Sequence, residues 1–219
     1  MKLKKPIKDI VIFGDSYSTF KGYVPEGYSP WYSVGGRPEQ TDVFCVEDTW
    51  WYQLTKELDL SIVRNDSWSG STIGYTGYNG EDLSSAKSFI ARLLKLEKEG
   101  FFNEKIDTVL IFGGTNDSWA GAPLGELKLS DFKDEDFYSV LPAIGFFISK
   151  VKILLPDANI IFLINDILKP EIIEAIKTAS DTLGTRYLAL SDIGKQSGHP
   201  NVVGMIGIKE QVKKFLLEN

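Results

Sequence analysis

The chain alternates short apolar runs with longer segments in which apolar residues recur every three or four positions. The short runs are rich in Ile, Val and Leu, as strands buried on both faces of a parallel sheet require. They predict strands at 7–13, 61–65, 108–112, 159–164 and 186–190. The periodic segments predict helices at 49–58, 84–99, 136–155, 170–183 and 202–217. This alternation is typical of βαβ units on one parallel sheet, so we expect an α/β protein.

Two long connections interrupt the alternation. The first, at about 17–47, is rich in Gly, Pro and aromatic residues, and the second covers 119–133. Loops of this length in a compact domain are often functional. The aromatic residues of the first insertion include Phe20, Tyr23, Tyr28, Trp31, Tyr32 and Phe44. Two interpretations stay open, since these side chains either close a small core of their own or line a cleft for substrate.

Composition limits the class of protein. A chain of 219 residues that is 43% hydrophobic can bury one core, so we expect a single domain over 1–219. The net charge of −6 argues against a nucleic-acid partner. The basic start at 1–6 is followed by too short an apolar stretch for a signal peptide, and no apolar run reaches membrane-spanning length. These features predict a cytoplasmic protein with no membrane partner.

Residues able to perform nucleophilic catalysis follow several of the predicted strands. Ser16 follows the first strand, Gly70 the second and Asn116 the third, and the chain's one histidine, His199, follows the fifth. Parallel strands deliver these loops to one edge of the sheet. A serine hydroxyl becomes a good nucleophile when a base such as imidazole takes its proton. We therefore predict Ser16 as nucleophile, His199 as base, and an oxyanion hole formed by the Ser16 N–H, Gly70 and Asn116.

Four short blocks resemble those of the SGNH (GDSL-like) hydrolases. IFGDS at 12–16 resembles the family's GDS block, SGS at 69–71 its second-block glycine, GTND at 114–117 its GxND block, and GHPN at 198–201 its histidine block. The blocks occur in the family's order. The resemblance implies a flavodoxin-like three-layer α/β/α sandwich with a central five-stranded parallel sheet, the SGNH hydrolase fold. It also implies no metal or organic cofactor, and an esterase, lipase or acyltransferase activity through an acyl-enzyme.

One position departs from the family pattern. The family usually has an aspartate three residues before the histidine, and Gln196 stands there in this chain. Three arrangements stay open: Asp192 reaches His199, the Gln196 side chain orients the ring, or a backbone carbonyl orients it in a Ser-His dyad. Asp15 and Asp117 are expected to stabilise their loops by side-chain hydrogen bonds to backbone amides.

The substrate is predicted by position and by analogy. Trp68 and Trp119 stand beside the proposed oxyanion donors, so we expect them to contact substrate. Families that resemble this one frequently cleave short-acyl esters, such as an O-acetyl group on a carbohydrate. The alternative is a non-catalytic domain: a flavodoxin-like fold that holds phosphate or flavin in the loop at 16–19, or a former hydrolase that binds glycans. Hydrolysis or transfer, and the oligomeric state, stay open.

Overall fold

The computed structural model describes residues 7–218, which are built around a parallel sheet. Its strands are β1 (Asp9–Gly14), β2 (Ser61–Ser67), β3 (Thr108–Phe112), β4 (Asn159–Ile164) and β5 (Arg186–Ala189). Their order across the sheet is β2-β1-β3-β4-β5, and every neighbouring pair is parallel. This order is that of flavodoxin-like folds. The predicted five-stranded parallel sheet is confirmed.

Helices cover both faces of the sheet. They are α1 (Trp50–Leu58), α2 (Phe89–Lys98), α3 (Thr115–Ala120), α4 (Val140–Leu154), α5 (Pro170–Leu183) and α6 (Val202–Glu218). Alternate residues of β1 enter different cores, because successive strand side chains point to opposite faces. Ile10 and Ile12 pack in the core under α1 and α6, while Val11 and Phe13 pack in the core under α2, α4 and α5. The predicted three-layer arrangement is therefore confirmed.

Two helices begin later than the apolar pattern predicts. The Ser88 hydroxyl oxygen accepts the N–H of Ala91 at 3.1 Å, so this N-cap starts α2 at Phe89 instead of 84. A 3-10 turn at Asp134–Tyr138 precedes α4, which begins at Val140 instead of 136. The other predicted helices agree within one residue at each end, and Pro170 occupies the first turn of α5 as expected.

Two elements have no counterpart in the predicted pattern. One is α3, which contains Asn116 and ends where the second long loop was expected to begin. The other is a hairpin of two antiparallel two-residue strands, β6 (Lys195–Gln196) and β7 (His199–Pro200). Both elements are too short to show a periodic pattern. Each of them carries a predicted site residue.

The aromatic insertion divides between the two interpretations that its sequence allows. Phe20 and Tyr32 are buried in the same core as Trp50 and Trp51, so part of the insertion closes a small core. Trp31 packs against this core and also lies against His199. The basic stretch at 1–6 lies outside the described residues. Within 7–218, no helix has both the length and the apolar character required to cross a bilayer.

Candidate active site

The predicted nucleophile lies in a tight turn at the carboxyl end of β1. Ser16 begins a 3-10 turn, Ser16–Ser18, and the Asp15 carboxylate accepts the N–H of Tyr17 at 3.0 Å. This is the short-range hydrogen bond expected of Asp15. Gly14 leaves space for the turn, since a Cβ there would lie 2.3 Å from the Ser67 hydroxyl. The sequence thus places the hydroxyl of Ser16 at the edge of the sheet where the loops meet.

The predicted base is carried by the β6–β7 hairpin. His199 Nε2 lies 3.0 Å from the Ser16 hydroxyl oxygen, and its Nδ1 lies 3.1 Å from the Ser197 carbonyl oxygen. A carbonyl can only accept, so Nδ1 carries the proton and Nε2 has a lone pair for the serine hydroxyl. The two hairpin positions between Gln196 and His199 have positive φ, 48° at Ser197 and 77° at Gly198, as a type I′ turn requires. The turn therefore presents a carbonyl to the ring that follows it.

The environment of His199 favours the neutral imidazole. Burial, opposed by the Ser197 carbonyl and assisted by the positive charge of Arg37, lowers the pKa of His199 to about 4. The indole of Trp31 stacks on the imidazole with ring centroids 3.6 Å apart and planes 6° apart. The Arg37 guanidinium lies over the same indole, 4.8 Å from its centroid. At neutral pH the ring is therefore ready to accept a proton.

The structure does not bring Asp192 to the histidine. Asp192 is exposed and has a left-handed backbone with φ of 54°, while His199 Nδ1 meets the Ser197 carbonyl. The suggestion that Asp192 orients the ring is therefore wrong in its geometry. Gln196 does not orient the ring by its side chain either, because its amide donates to the Pro38 carbonyl at 3.4 Å. The arrangement that the structure contains is the Ser-His pair with a backbone carbonyl.

The three predicted oxyanion donors lie on segments that are hydrogen-bonded to one another. The N–H groups of Ser16 and Gly70 have no acceptor among residues 7–218, so both remain able to donate to a ligand. Asn116 donates one amide hydrogen to the Ser71 carbonyl at 2.9 Å, and its oxygen accepts from the Tyr78 hydroxyl at 2.9 Å. Its second amide hydrogen remains for a ligand. This set of donors can stabilise a developing oxyanion.

Comparison with known proteins agrees with the geometry of the site. The family model described as GDSL-like Lipase/Acylhydrolase matches residues 8–216. The chain belongs to this family. It is therefore a carboxylic ester hydrolase. No curated protein sequence matches the chain significantly.

Solved structures agree with this assignment. A protein from Bacteroides ovatus ATCC 8483 described as a GDSL-like lipase is 41% identical, with a TM-score of 0.90 over 98% of this chain and 100% of that one. A second such protein, from Bacteroides uniformis ATCC 8492, is 40% identical, with a TM-score of 0.88 over 95% of each chain. An acetyl xylan esterase from Butyrivibrio proteoclasticus is 15% identical, with a TM-score of 0.62 over 99% of this chain and 64% of that one. This last likeness shows the fold alone.

Two buried aspartates support the loops of this GDSL-family hydrolase. Both carboxylate oxygens of Asp117 accept the N–H of Ile73, with each oxygen 3.0 Å from the nitrogen, so this residue secures the neighbouring loop. Burial raises the pKa of Asp117 to about 6 and, together with the nearby Asp117 charge, raises the pKa of Asp15 to about 7. Neither carboxylate contacts His199. Both have the structural hydrogen bonds expected of them, with a more distant partner for Asp117.

The two predicted substrate contacts, Trp68 and Trp119, have different neighbours. Trp119 is 42% exposed and meets His199 edge to face, with centroids 6.1 Å apart. Trp68 stacks on Tyr28 with centroids 4.2 Å apart, so one of its faces is already covered. Trp119 therefore has the better position for a ligand.

The loop at 16–19 is the alternative phosphate or flavin site. Most of its hydroxyl groups already have hydrogen-bond partners within the protein. Ser16 meets His199, and Thr19 donates to the Ser16 carbonyl at 2.9 Å while accepting the N–H of Trp31 at 2.8 Å. The first full helix after this loop, α1, begins only at Trp50, so no helix follows the loop directly. The family assignment and these contacts do not support the phosphate or flavin alternative.

Three residues beside the base could not be identified as such from the sequence. They are Trp31 and Arg37 of the insertion and Ser197, which acts through its backbone carbonyl. The only signal in the sequence was the aromatic content of the insertion. A backbone carbonyl leaves no mark on residue type, so nothing at position 197 could have predicted its contact.

Proposed function

We propose that this hydrolase cleaves short-acyl esters, O-acetyl groups on carbohydrates in particular, through an acyl-enzyme on Ser16. The observation that carries the proposal is the 3.0 Å contact between the Ser16 hydroxyl and His199 Nε2, with Nδ1–H held by the Ser197 carbonyl. Distance and tautomer together are what general-base activation of a serine requires.

In the proposed acylation, the Ser16 oxygen bonds to the acyl carbon as its proton passes to His199 Nε2. The carbonyl π electrons move to the oxygen, where the N–H groups of Ser16 and Gly70 and the Asn116 amide stabilise the charge. Collapse of this intermediate breaks the bond to the alcohol, whose oxygen takes the proton from Nε2. In deacylation, water gives a proton to His199 Nε2 and attacks the acyl carbon. The bond to the Ser16 oxygen then breaks, the proton returns to that oxygen, and the carboxylic acid is released.

Two features of the site support a substrate in which a small acyl group is esterified to a carbohydrate hydroxyl. Ser16 is 2% exposed and His199 is 7% exposed, so both reacting side chains are buried, which favours a small acyl group. Beside His199, the exposed indole of Trp119 offers an apolar face of the kind on which a sugar ring can lie. The acetyl xylan esterase of the same fold carries such a substrate in its name.

The reaction is tested by labelling the purified protein with a fluorophosphonate probe, beside Ser16→Ala and His199→Ala variants. We expect labelling of the wild type and loss of labelling in both variants. An unlabelled wild-type protein would refute the acyl-enzyme on Ser16.

The acyl preference is tested with p-nitrophenyl esters of increasing chain length. We expect kcat/KM to be highest for acetate and to fall at least about tenfold by octanoate, because one methylene in a restricted pocket changes binding by about 1 kcal/mol or more. A preference for octanoate would contradict the short-acyl proposal and leave the nucleophile unaffected. Acetylated xylan and acetylated glucose, assayed by acetate release, then test the carbohydrate alcohol.

A further inference from the structure

The imidazole of His199 is bounded by an aromatic residue from a distant part of the chain. Trp31 lies in the insertion, and its indole covers the imidazole at 3.6 Å with the planes 6° from parallel. Parallel stacking at this distance is full van der Waals contact across the rings. The indole therefore restricts rotation of the imidazole out of its plane.

Trp31 is also connected to the nucleophile. Its backbone N–H donates to the Thr19 hydroxyl at 2.8 Å, and that hydroxyl donates to the Ser16 carbonyl at 2.9 Å. The indole nitrogen, in contrast, is buried without an acceptor among the described residues. A buried N–H without a partner destabilises the fold, so hydrogen bonding does not explain the choice of Trp at this position. The indole packs against the core under α1 and α6, has the Arg37 guanidinium over its ring, and stacks on His199.

The base lacks the group that usually performs two tasks in a serine hydrolase. An orienting carboxylate holds the ring in place and stabilises the imidazolium that forms when the serine proton is taken. In this chain the Ser197 carbonyl selects the tautomer, yet it is a single neutral acceptor. An aromatic face can supply what remains, because it fixes the plane of the ring and attracts a cation placed over it.

We propose that Trp31 is a positioning residue for His199, whose indole takes over ring orientation and imidazolium stabilisation from the absent carboxylate. This inference rests on the proposed role of His199 as base. It gives the aromatic insertion a part in the chemical step, beyond closing a core.

The charged and titratable groups around the ring come from several elements. From the insertion, the Arg37 guanidinium lies over the indole and opposes the positive imidazolium. From the first turn, Tyr17 stays neutral, because burial raises its pKa, and Asp15 is buried with a raised pKa. From the hairpin, Lys195 is paired with Asp166. Arg37 is thus the unpaired charge that acts most directly on the base.

The chain has one histidine, so NMR of its imidazole reports on this residue alone. In the wild type we expect the His199 ring protons to be shifted upfield by the indole ring current, and the 15N shifts to show a proton on Nδ1. In Trp31→Leu the upfield shift should disappear. Arg37→Met should raise the pKa of His199 read from the titration, because it removes a positive charge; Lys21→Met, in the same insertion, is the matched control and should leave it unchanged.

Kinetics separate positioning from a structural role. With p-nitrophenyl acetate, Trp31→Leu should lower kcat by about 10- to 100-fold with little change in KM, as for a group that acts through general-base catalysis. Trp31→Phe retains an aromatic face and should recover most of kcat. Tyr23→Leu, an exposed aromatic residue of the insertion that packs on Trp51, is the control for damage to the insertion and should keep the wild-type rate.

Each outcome decides the inference. It is overturned if Trp31→Leu raises KM alone, if Phe is no better than Leu, or if the wild-type ring protons show no upfield shift. Loss of kcat in Tyr23→Leu to the same extent would also overturn it, because any damage to the insertion would then suffice. Fluorophosphonate labelling of the wild type tests the proposed function separately, and labelling can succeed while this inference fails.

Discussion

At the scale of single residues, the proposed catalysis depends on what surrounds one imidazole. His199 has a serine hydroxyl on Nε2, a carbonyl on Nδ1 and an indole on its face, and no carboxylate of residues 7–218 hydrogen-bonds to it. A triad aspartate contributes about 10⁴-fold to turnover, so a site without one must be organised in another way. The contacts of His199 indicate a dyad supported by neutral groups.

If Ser16 and His199 act as a dyad, Asp192→Ala should have almost no effect on kcat/KM. Asp192 is exposed and has no contact with the ring, so we expect kcat/KM to stay within about twofold of the wild type. The measurement is the steady-state rate with p-nitrophenyl acetate. A loss of three orders of magnitude or more would show that Asp192 acts on His199 during turnover.

The pH dependence of kcat/KM should reflect the buried imidazole. The base is active when neutral, and burial lowers its pKa to about 4, so activity should persist below pH 6 and fall only as the pH approaches 4. A pH profile of kcat/KM for p-nitrophenyl acetate between pH 3.5 and 8 checks this. An acid limb at the ordinary histidine pKa of about 6.5 would show that the ring is solvated or paired with an anion in solution.

At the scale of elements, the β6–β7 hairpin determines where the base lies. Its two-residue turn has positive φ at both positions, and it is this shape that directs the Ser197 carbonyl at His199 Nδ1. Trp119 lies above Gly198, where a Cβ would come within 3.3 Å of the indole. A short turn, and not a long structured loop, therefore sets the position of His199.

The hairpin predicts different results for substitutions at its two turn residues. Gly198→Ala forces a side chain into a left-handed conformation that costs about 1–2 kcal/mol and presses on Trp119, so we expect kcat to fall by about tenfold. Ser197→Gly keeps the backbone carbonyl and relaxes the turn, so its rate should equal that of the wild type. Equal losses in both variants would indicate that the Ser197 hydroxyl, and not its carbonyl, serves the site.

At the scale of the whole molecule, one buried ion pair connects the segments that meet at the carboxyl edge of the sheet. Arg92 of α2 pairs with Asp66 of β2 at 2.8 Å, and both side chains are fully buried. The guanidinium also donates to the Gly14 carbonyl at 3.3 Å and to the Ser71 hydroxyl at 3.2 Å. The end of β1 and the loop that carries Gly70 are thus held to the same cation.

Removal of Arg92 should destabilise the fold strongly. Arg92→Met leaves the Asp66 carboxylate buried without this partner, which we expect to lower the free energy of unfolding by about 3–5 kcal/mol. Arg64→Met is the matched control: Arg64 meets the same carboxylate at 2.8 Å but is partly exposed, so its loss should cost about 1 kcal/mol or less. Urea unfolding at pH 7 measures both. Equal losses of unfolding free energy in the two variants would mean that burial of the Arg92–Asp66 pair does not increase its contribution to stability.

The sequence by itself determined the sheet, most of the helices and the blocks that carry Ser16, Gly70, Asn116 and His199. Apolar periodicity and short motifs are local, so they can be read without knowing which segments meet. The same local pattern could not show α3 or the hairpin, because both are too short for a periodic pattern to repeat. It also could not show the later starts of α2 and α4, which Ser88 and a 3-10 turn set.

The tertiary structure alone decided how the base is held. Asp192 is the carboxylate nearest to His199 along the chain, yet the imidazole Nδ1 meets the Ser197 carbonyl and not this carboxylate. Trp31 comes into contact with the ring from the opposite end of the sequence. The Nδ1 partner is a backbone carbonyl, which every residue type has. Contacts of these kinds depend on the packing of distant segments and on backbone direction, and neither leaves a pattern in the order of the residues.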